Sequence, residues 1–158
     1  MTLMDTPPAT NMVSLTVEGA QANLTLARPD KFNAMNVEMI QELIALLEWT
    51  AERSAGRQNE LHDENGTPFL RTLVLRGEGK HFCAGADINM MRDAGANTPE
   101  ENRADSKRLD RLFNGLWSHP CFTGWCRSRR GLGRRSGSGV MLRLRGGYCR
   151  RSHRAVRG

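Results

Sequence analysis

The sequence predicts an α/β fold, and three observations carry that prediction. Residues 13–26 hold two apolar runs of period two, residues 36–53 change to a helical period, and Leu73-Val74-Leu75 is apolar without alternation. Alternation marks a strand with one buried face, whereas an unbroken apolar run suits a strand buried on both faces of a parallel sheet. Strand, helix, strand, helix in this order is the layout of helices packed on such a sheet.

Residues 1–11 read as a polar leader containing Pro7-Pro8. Val13, Leu15 and Val17 alternate with polar neighbours, Glu18-Gly19-Ala20-Gln21 supplies a turn, and Ala22, Leu24 and Leu26 alternate again. Two such runs around a short turn predict an antiparallel hairpin. Arg28-Pro29-Asp30 ends it. Ile40, Leu43, Ile44 and Leu47 then fall at i, i+3, i+4 and i+7, one buried face of a helix from Asn36, a plausible N-cap, to about Arg53. Residues 54–68 are rich in Ser, Gly, Asn, Asp and Glu and predict a long surface loop, partly disordered. Phe69 to Arg76 reads as the next strand. Thr98-Pro99-Glu100-Glu101 is a capping box with proline at the first helical position. Leu109, Leu112, Phe113, Leu116 and Trp117 form the stripe of the helix it starts and are expected in the core. Ser118-His119-Pro120 closes that helix.

Charge divides the chain in two. The whole of it carries 23 Lys+Arg against 17 Asp+Glu, but eleven of the basic residues are arginines after Thr123, where no acidic residue remains. Residues 1–123 have a net charge of −5, so the basic character belongs to the tail. No run approaches the roughly 18 apolar residues that span a membrane. The N-terminus lacks a positive segment followed by an apolar one, so no signal peptide is expected. Cys83, Cys121, Cys126 and Cys149 form no C-x-x-C pair, and the four His are scattered. Free thiols, no metal site and a cytoplasmic setting are the expectation.

The stretch on which function turns is His81-Phe82-Cys83-Ala84-Gly85-Ala86-Asp87-Ile88, between the strand at Leu73–Leu75 and a polar, helix-prone segment. A strand that hands over to a helix through small residues can present bare backbone N–H groups, with the helix N-terminus adding partial positive charge. Ala and Gly there let a ligand approach the backbone, as stabilisation of a developing oxyanion requires. On local pattern alone, an ordinary strand-to-helix connection fits as well.

Residues 12–123 resemble the crotonase superfamily, the enoyl-CoA hydratase/isomerase family. The resemblance rests on Leu26-Ala27-Arg28-Pro29-Asp30-Lys31-Phe32-Asn33-Ala34-Met35, on Leu73-Val74-Leu75-Arg76-Gly77, and most specifically on His81 to Asp87. Asn89-Met90-Met91 and Pro99-Glu100-Glu101-Asn102 are most similar to the methylglutaconyl-CoA hydratase branch. The resemblance covers about the first half of a family domain and implies the N-terminal part of a crotonase-like ββα spiral. It implies an acyl-CoA thioester as substrate, with no cofactor beyond the coenzyme A of that substrate. Two backbone N–H groups would hold the thioester oxygen while water adds across the α,β double bond. One donor would be Ala84; Gly85, Ala86 and Asp87 would shape the coenzyme A pocket, and Lys31, Phe32 and Ala34 lie where the other coenzyme A-contacting segment runs. A homotrimer or hexamer is implied for the intact family.

The family's second donor would come from a glycine-rich segment about 50 residues further on, and its general acid/base carboxylates from that region and beyond. This chain has no acidic residue after Asp110. Residues 124–158 instead mix Arg, Gly, Ser and Cys, with no helical period and no sustained alternation, so disorder is expected there. Such a mix is what a GC-rich gene yields when read out of frame. With codons started one base later, Gly124 to Arg135 is compatible with Val-Gly-Ala-Val-His-Gly-Val-Ala-Leu-Gly-Gly-Gly, which resembles the missing family segment. A one-base frameshift near Thr123 or Gly124 would put Arg134 in the slot of the glycine donor, leaving a truncated, inactive domain. The alternative is a nucleic-acid-binding protein whose Arg/Gly tail contacts phosphates, although only Trp125 and Tyr148 supply aromatic stacking groups in it. A generic α/β domain without activity is the third reading, and the Ala84 to Asp87 block argues against it.

Overall fold

The computed structural model describes residues 6–54, 60–126, 142–144 and 147–149. The expected hairpin is present as β1 (Val13–Glu18) and β2 (Gln21–Leu26), antiparallel, with Val13 opposite Leu26, Leu15 opposite Leu24 and Val17 opposite Ala22. Gly19 makes the tight reversal possible at φ +57°, a conformation that costs glycine little. The N-terminus of β1 is pinned to the following helix. The Glu42 carboxylate accepts the N–H groups of Asn11 (2.8 Å), Met12 (2.8 Å) and Val13 (2.9 Å).

Helix α1 (Val37–Glu52) is capped as expected, the Asn36 side chain accepting the Met39 N–H at 2.9 Å. Ile40, Leu43, Ile44 and Leu47 are all buried. So are Met39, Leu46, Trp49 and Thr50, because α1 lies between the sheet and a second helix and buries a wider arc than one face. The loop that follows turns on Asp63, whose carboxylate accepts the Asn65 and Thr67 N–H groups. Part of the expected disorder, at 55–59, lies outside the described residues.

β3 (Thr72–Gly77) begins later than the apolar pattern suggests. Phe69 and Leu70 donate their N–H groups to the Leu61 and Arg53 carbonyls, which diverts them from the sheet. Leu73, Val74 and Leu75 are all buried, as an interior parallel strand requires. β3 runs parallel to β2 on one side and to β4 (Phe122–Cys126) on the other, giving the order β1-β2-β3-β4. Between β3 and β4 lie α2 (Ile88–Ala94) and α3 (Pro99–Trp117), the latter opened by the full Thr98/Glu101 capping box.

Two expectations need correction. The α3 stripe is core only in part: Leu112 is buried and Leu109 and Leu116 pack against the core, but Phe113 is 55% and Trp117 70% exposed. α3 packs on α1, and that contact does not cover these two. The boundary at residue 123 cuts a strand, since β4 carries on through Gly124, paired with Val74, to Cys126. Strand pairing uses backbone groups, so a change of composition does not end it. Within the tail, β5 (Leu142–Leu144) and β6 (Gly147–Cys149) form an antiparallel pair. The remainder of the tail lies outside the described residues. Among the described residues no helix is long and apolar enough to cross a membrane.

Candidate functional site

β2 and β3 end side by side, Leu26 opposite Gly77. Beyond the carboxyl ends of parallel strands, neighbouring loops can build a binding site. One loop, 27–36, follows β2 and the other, 78–87, follows β3.

The first loop folds through a 3₁₀ turn, Pro29–Lys31, and then places Phe32 (φ 52°) and Asn33 (φ 56°) in the left-handed region. Asparagine tolerates that conformation better than most residues, while Phe32 adopts it against steric preference. Asn33 is fully buried and every polar atom of its amide is used. Oδ1 accepts the Arg28 N–H at 2.9 Å, and Nδ2 donates to the Glu78 carbonyl at 2.9 Å and the His81 carbonyl at 2.7 Å. The Phe32 ring meets His81 edge-on at 4.9 Å between centroids. The second loop turns back over Gly77 so tightly that a Cβ there would collide with the Phe82 carbonyl oxygen.

A single parallel bridge, Met35 with Ala86, joins the two loops. The Met35 N–H donates to the Gly85 carbonyl and the Asp87 N–H to the Met35 carbonyl, both at 2.8 Å. The Arg28 guanidinium spans the same junction, donating to the Ala34 carbonyl at 2.7 Å and to Asp87 Oδ2 at 3.0 Å. Asp87 caps α2, its other oxygen accepting the Asn89 N–H at 2.8 Å. That bond, and then Arg28, hold the Asp87 carboxyl below its ordinary pKa in spite of burial, which keeps it anionic.

The backbone donors of the turn have different fates. The Ala84 N–H donates to the Phe32 carbonyl at 3.0 Å, so in this structure it is already spent. The Gly85 N–H meets Cys83 Sγ at 3.4 Å. The Gly85–Ala86 peptide is fixed by Met35, whose N–H holds the Gly85 carbonyl. In a planar trans peptide C=O and N–H point in opposite directions, so the Ala86 N–H points away from Met35. Among the described residues it has no hydrogen-bond acceptor.

The sequence-selected residues are thus brought together. Phe32 is bonded to Ala84, Ala34 and Asp87 share Arg28, and Lys31 stands exposed beside Phe32. Arg134 lies outside the described residues. Sequence reading passed over Arg28 and Asn33, the two side chains that tie the loops. Only the Arg-Pro-Asp-Lys-Phe-Asn turn chemistry hinted at Asn33. An open groove of about 730 Å³ runs beside the junction, lined by Arg28, Asn36, Glu38, Asp87, Met90 and Arg108 among others.

Residues 21–114 match the family model described as enoyl-CoA hydratase/isomerase. The chain belongs to the enoyl-CoA hydratase/isomerase family. It is 35% identical over 104 residues to "Probable enoyl-CoA hydratase EchA14" of Mycobacterium tuberculosis, covering 66% of this chain and 33% of that protein. It is 33% identical over 97 residues to mevalonyl-coenzyme A hydratase SIDH of Beauveria bassiana, covering 61% of this chain and 30% of that one. Its fold superposes on the crystal structure of an enoyl-CoA hydratase from Shewanella pealeana with a TM-score of 0.62 at 34% identity, over 75% of this chain and 39% of that one. The chain spans about a third of the length of the curated relatives it matches.

Proposed function

We propose that this chain carries the thioester-binding half of an enoyl-CoA hydratase-type site. The loops at 31–34 and 84–87 receive the acyl-CoA, and one backbone N–H between them takes the thioester oxygen. The observation that carries this reading is the outward-pointing, unbonded Ala86 N–H. The Ala84 N–H was the expected donor, but its bond to Phe32 favours Ala86 for the role. Hydration requires negative charge to build on the thioester oxygen as water attacks the β carbon, and a fixed N–H stabilises that charge without reorganising. Loss of one such donor costs on the order of a hundredfold or more in rate.

By the family resemblance the second donor and the acid/base carboxylates would come from the region after Thr123, where this chain has no acidic residue. Binding without normal turnover is therefore the activity proposed for the chain as written, with a one-base frameshift near Thr123 as the origin of the Arg-rich tail. Resequencing the gene through that point tests the frameshift, and an intact in-frame reading in independent DNA refutes it. The trimeric or hexameric assembly of the intact family, a cytoplasmic setting and the methylglutaconyl-type acyl group remain part of this proposal.

Binding is tested by titrating the chain with a conjugated enoyl-CoA and following its ultraviolet band. A hydrogen bond to the thioester oxygen polarises the chromophore and moves the band to longer wavelength. Ala86→Pro removes the N–H and is expected to abolish the shift. A wild-type chain that binds nucleic acid in a salt-dependent manner, but no acyl-CoA, overturns the reading in favour of tail-mediated phosphate binding.

A further inference from the structure

The bridge that aims the Ala86 N–H is a single pair of backbone hydrogen bonds, Met35 to Gly85 and Asp87 to Met35. An isolated bridge has no neighbouring ladder to hold it. What flanks it on both sides is one guanidinium. Arg28 grips the carbonyl of Ala34, the residue before Met35, and the carboxylate of Asp87, the residue after Ala86. Its own N–H is held by Asn33, so its backbone belongs to the first loop while its side chain reaches the second. The Arg28 and Asp87 side chains are 16% and 11% exposed, which shields the pair from the water that weakens surface ion pairs. A planar fork can serve two acceptors at once; an ammonium is a point charge without that geometry.

We propose that Arg28 is a positioning residue for thioester recognition: its fork locks the Met35–Ala86 bridge and thereby fixes the direction of the Ala86 N–H. This rests on the reading of Ala86 as the thioester donor. Arg28 itself touches no reacting atom in this scheme. Its contribution is that the donor peptide does not rotate when the ligand arrives, which is what makes a preorganised dipole more effective than water.

The test uses the full chain and two readouts. In Arg28→Lys, amide hydrogen exchange at Met35 and Asp87 is expected to rise about tenfold or more, the scale of losing a charge-assisted hydrogen bond. Exchange at Leu73, Val74 and Leu75 in β3 should stay at the wild-type rate. With conjugated enoyl-CoA bound, the same variant should show a smaller red shift at saturation. If the Met35 and Asp87 amides stay as in wild type, or rise in step with β3, the proposal fails. It also fails if the bound ligand is shifted as far as in wild type. Should Arg28→Lys not fold, Asp87→Asn keeps the cap on Asn89 while removing the charge from the pair, and the same exchange pattern is required of it. If the wild-type chain binds no enoyl-CoA, the thioester reading fails, and the exchange data still decide whether Arg28 locks the bridge.

Discussion

Asn33 offers the sharpest test of how the two loops are held. Its amide makes one accepted and two donated hydrogen bonds at 2.7–2.9 Å, from a side chain with no exposure. At about 1 kcal/mol for each bond, Asn33→Gly should cost about 3 kcal/mol. Asn33→Ala loses the same bonds but keeps a Cβ at φ 56°, where an L-residue without a stabilising side chain costs about 1 kcal/mol more than glycine. The alanine variant should therefore be the less stable of the two, although alanine is the better residue almost everywhere else. Urea unfolding followed by far-ultraviolet circular dichroism measures both, provided the slope with denaturant is unchanged. A glycine variant within 1 kcal/mol of wild type would show that the three bonds hold nothing against solvent. Equal stabilities for Ala and Gly would show that the left-handed backbone carries no strain.

Three further outcomes follow from the packing and hydrogen bonds of the fold. Gly77→Ala drives a Cβ into the Phe82 and His81 carbonyls and should cost about 3 kcal/mol, the upper end for overpacking, read as a loss of urea midpoint. Thr98→Ala removes one half of the α3 capping box and should cost about 1 kcal/mol by the same measurement. Burial lowers the His119 pKa below its ordinary value, only partly offset by its bond to Leu47, and its Nδ1 accepts the Cys121 N–H. The unfolded chain then takes up a proton first as pH falls. The stability contributed by neutral His119 is thus complete above about pH 6.5 and is lost below it, towards the lowered folded value. His119→Gln should flatten that part of the pH profile of the urea midpoint, and an unchanged profile would refute the assignment.

What the sequence made legible were the features set by local spacing. The Val13–Val17 and Ala22–Leu26 alternation pointed to the hairpin, whose register keeps Leu24 opposite Leu15 and buried. The spacing of Ile40 to Leu47 gave α1, and the unbroken Leu73–Leu75 run gave an interior parallel strand. Phe113 and Trp117 misled because helical spacing says which residues share a face and nothing about how much of that face a neighbour covers. Arg28 and Asn33 were invisible as ties because their partners lie 45 to 59 residues away, where only the folded sheet brings them near.

The proposal of Ala86 rather than Ala84 as the donor has the same origin, and it bears on how the chain would bind a thioester. Composition identified a turn small enough for a ligand to approach, but Ala84 and Ala86 are equally small. They differ in which carbonyl their N–H groups face, and that depends on Phe32 and Met35, residues of the other loop. The bridge consumes the Gly85 carbonyl on one side of the chain and, because the peptide is planar, leaves the Ala86 N–H on the other. The folded ends of β2 and β3 thus leave the Ala86 N–H free for the donor role proposed for it. One neutral hydrogen bond contributes about 0.5–1.5 kcal/mol in net terms. That is enough to orient a thioester held by its coenzyme A portion. Against transition-state charge one such donor contributes about 3 kcal/mol, still well below the roughly 8 kcal/mol or more by which enzymes lower their barriers. Binding can therefore be read apart from turnover in this chain: Ala86→Pro should remove the red shift of a bound enoyl-CoA, whatever the hydration rate.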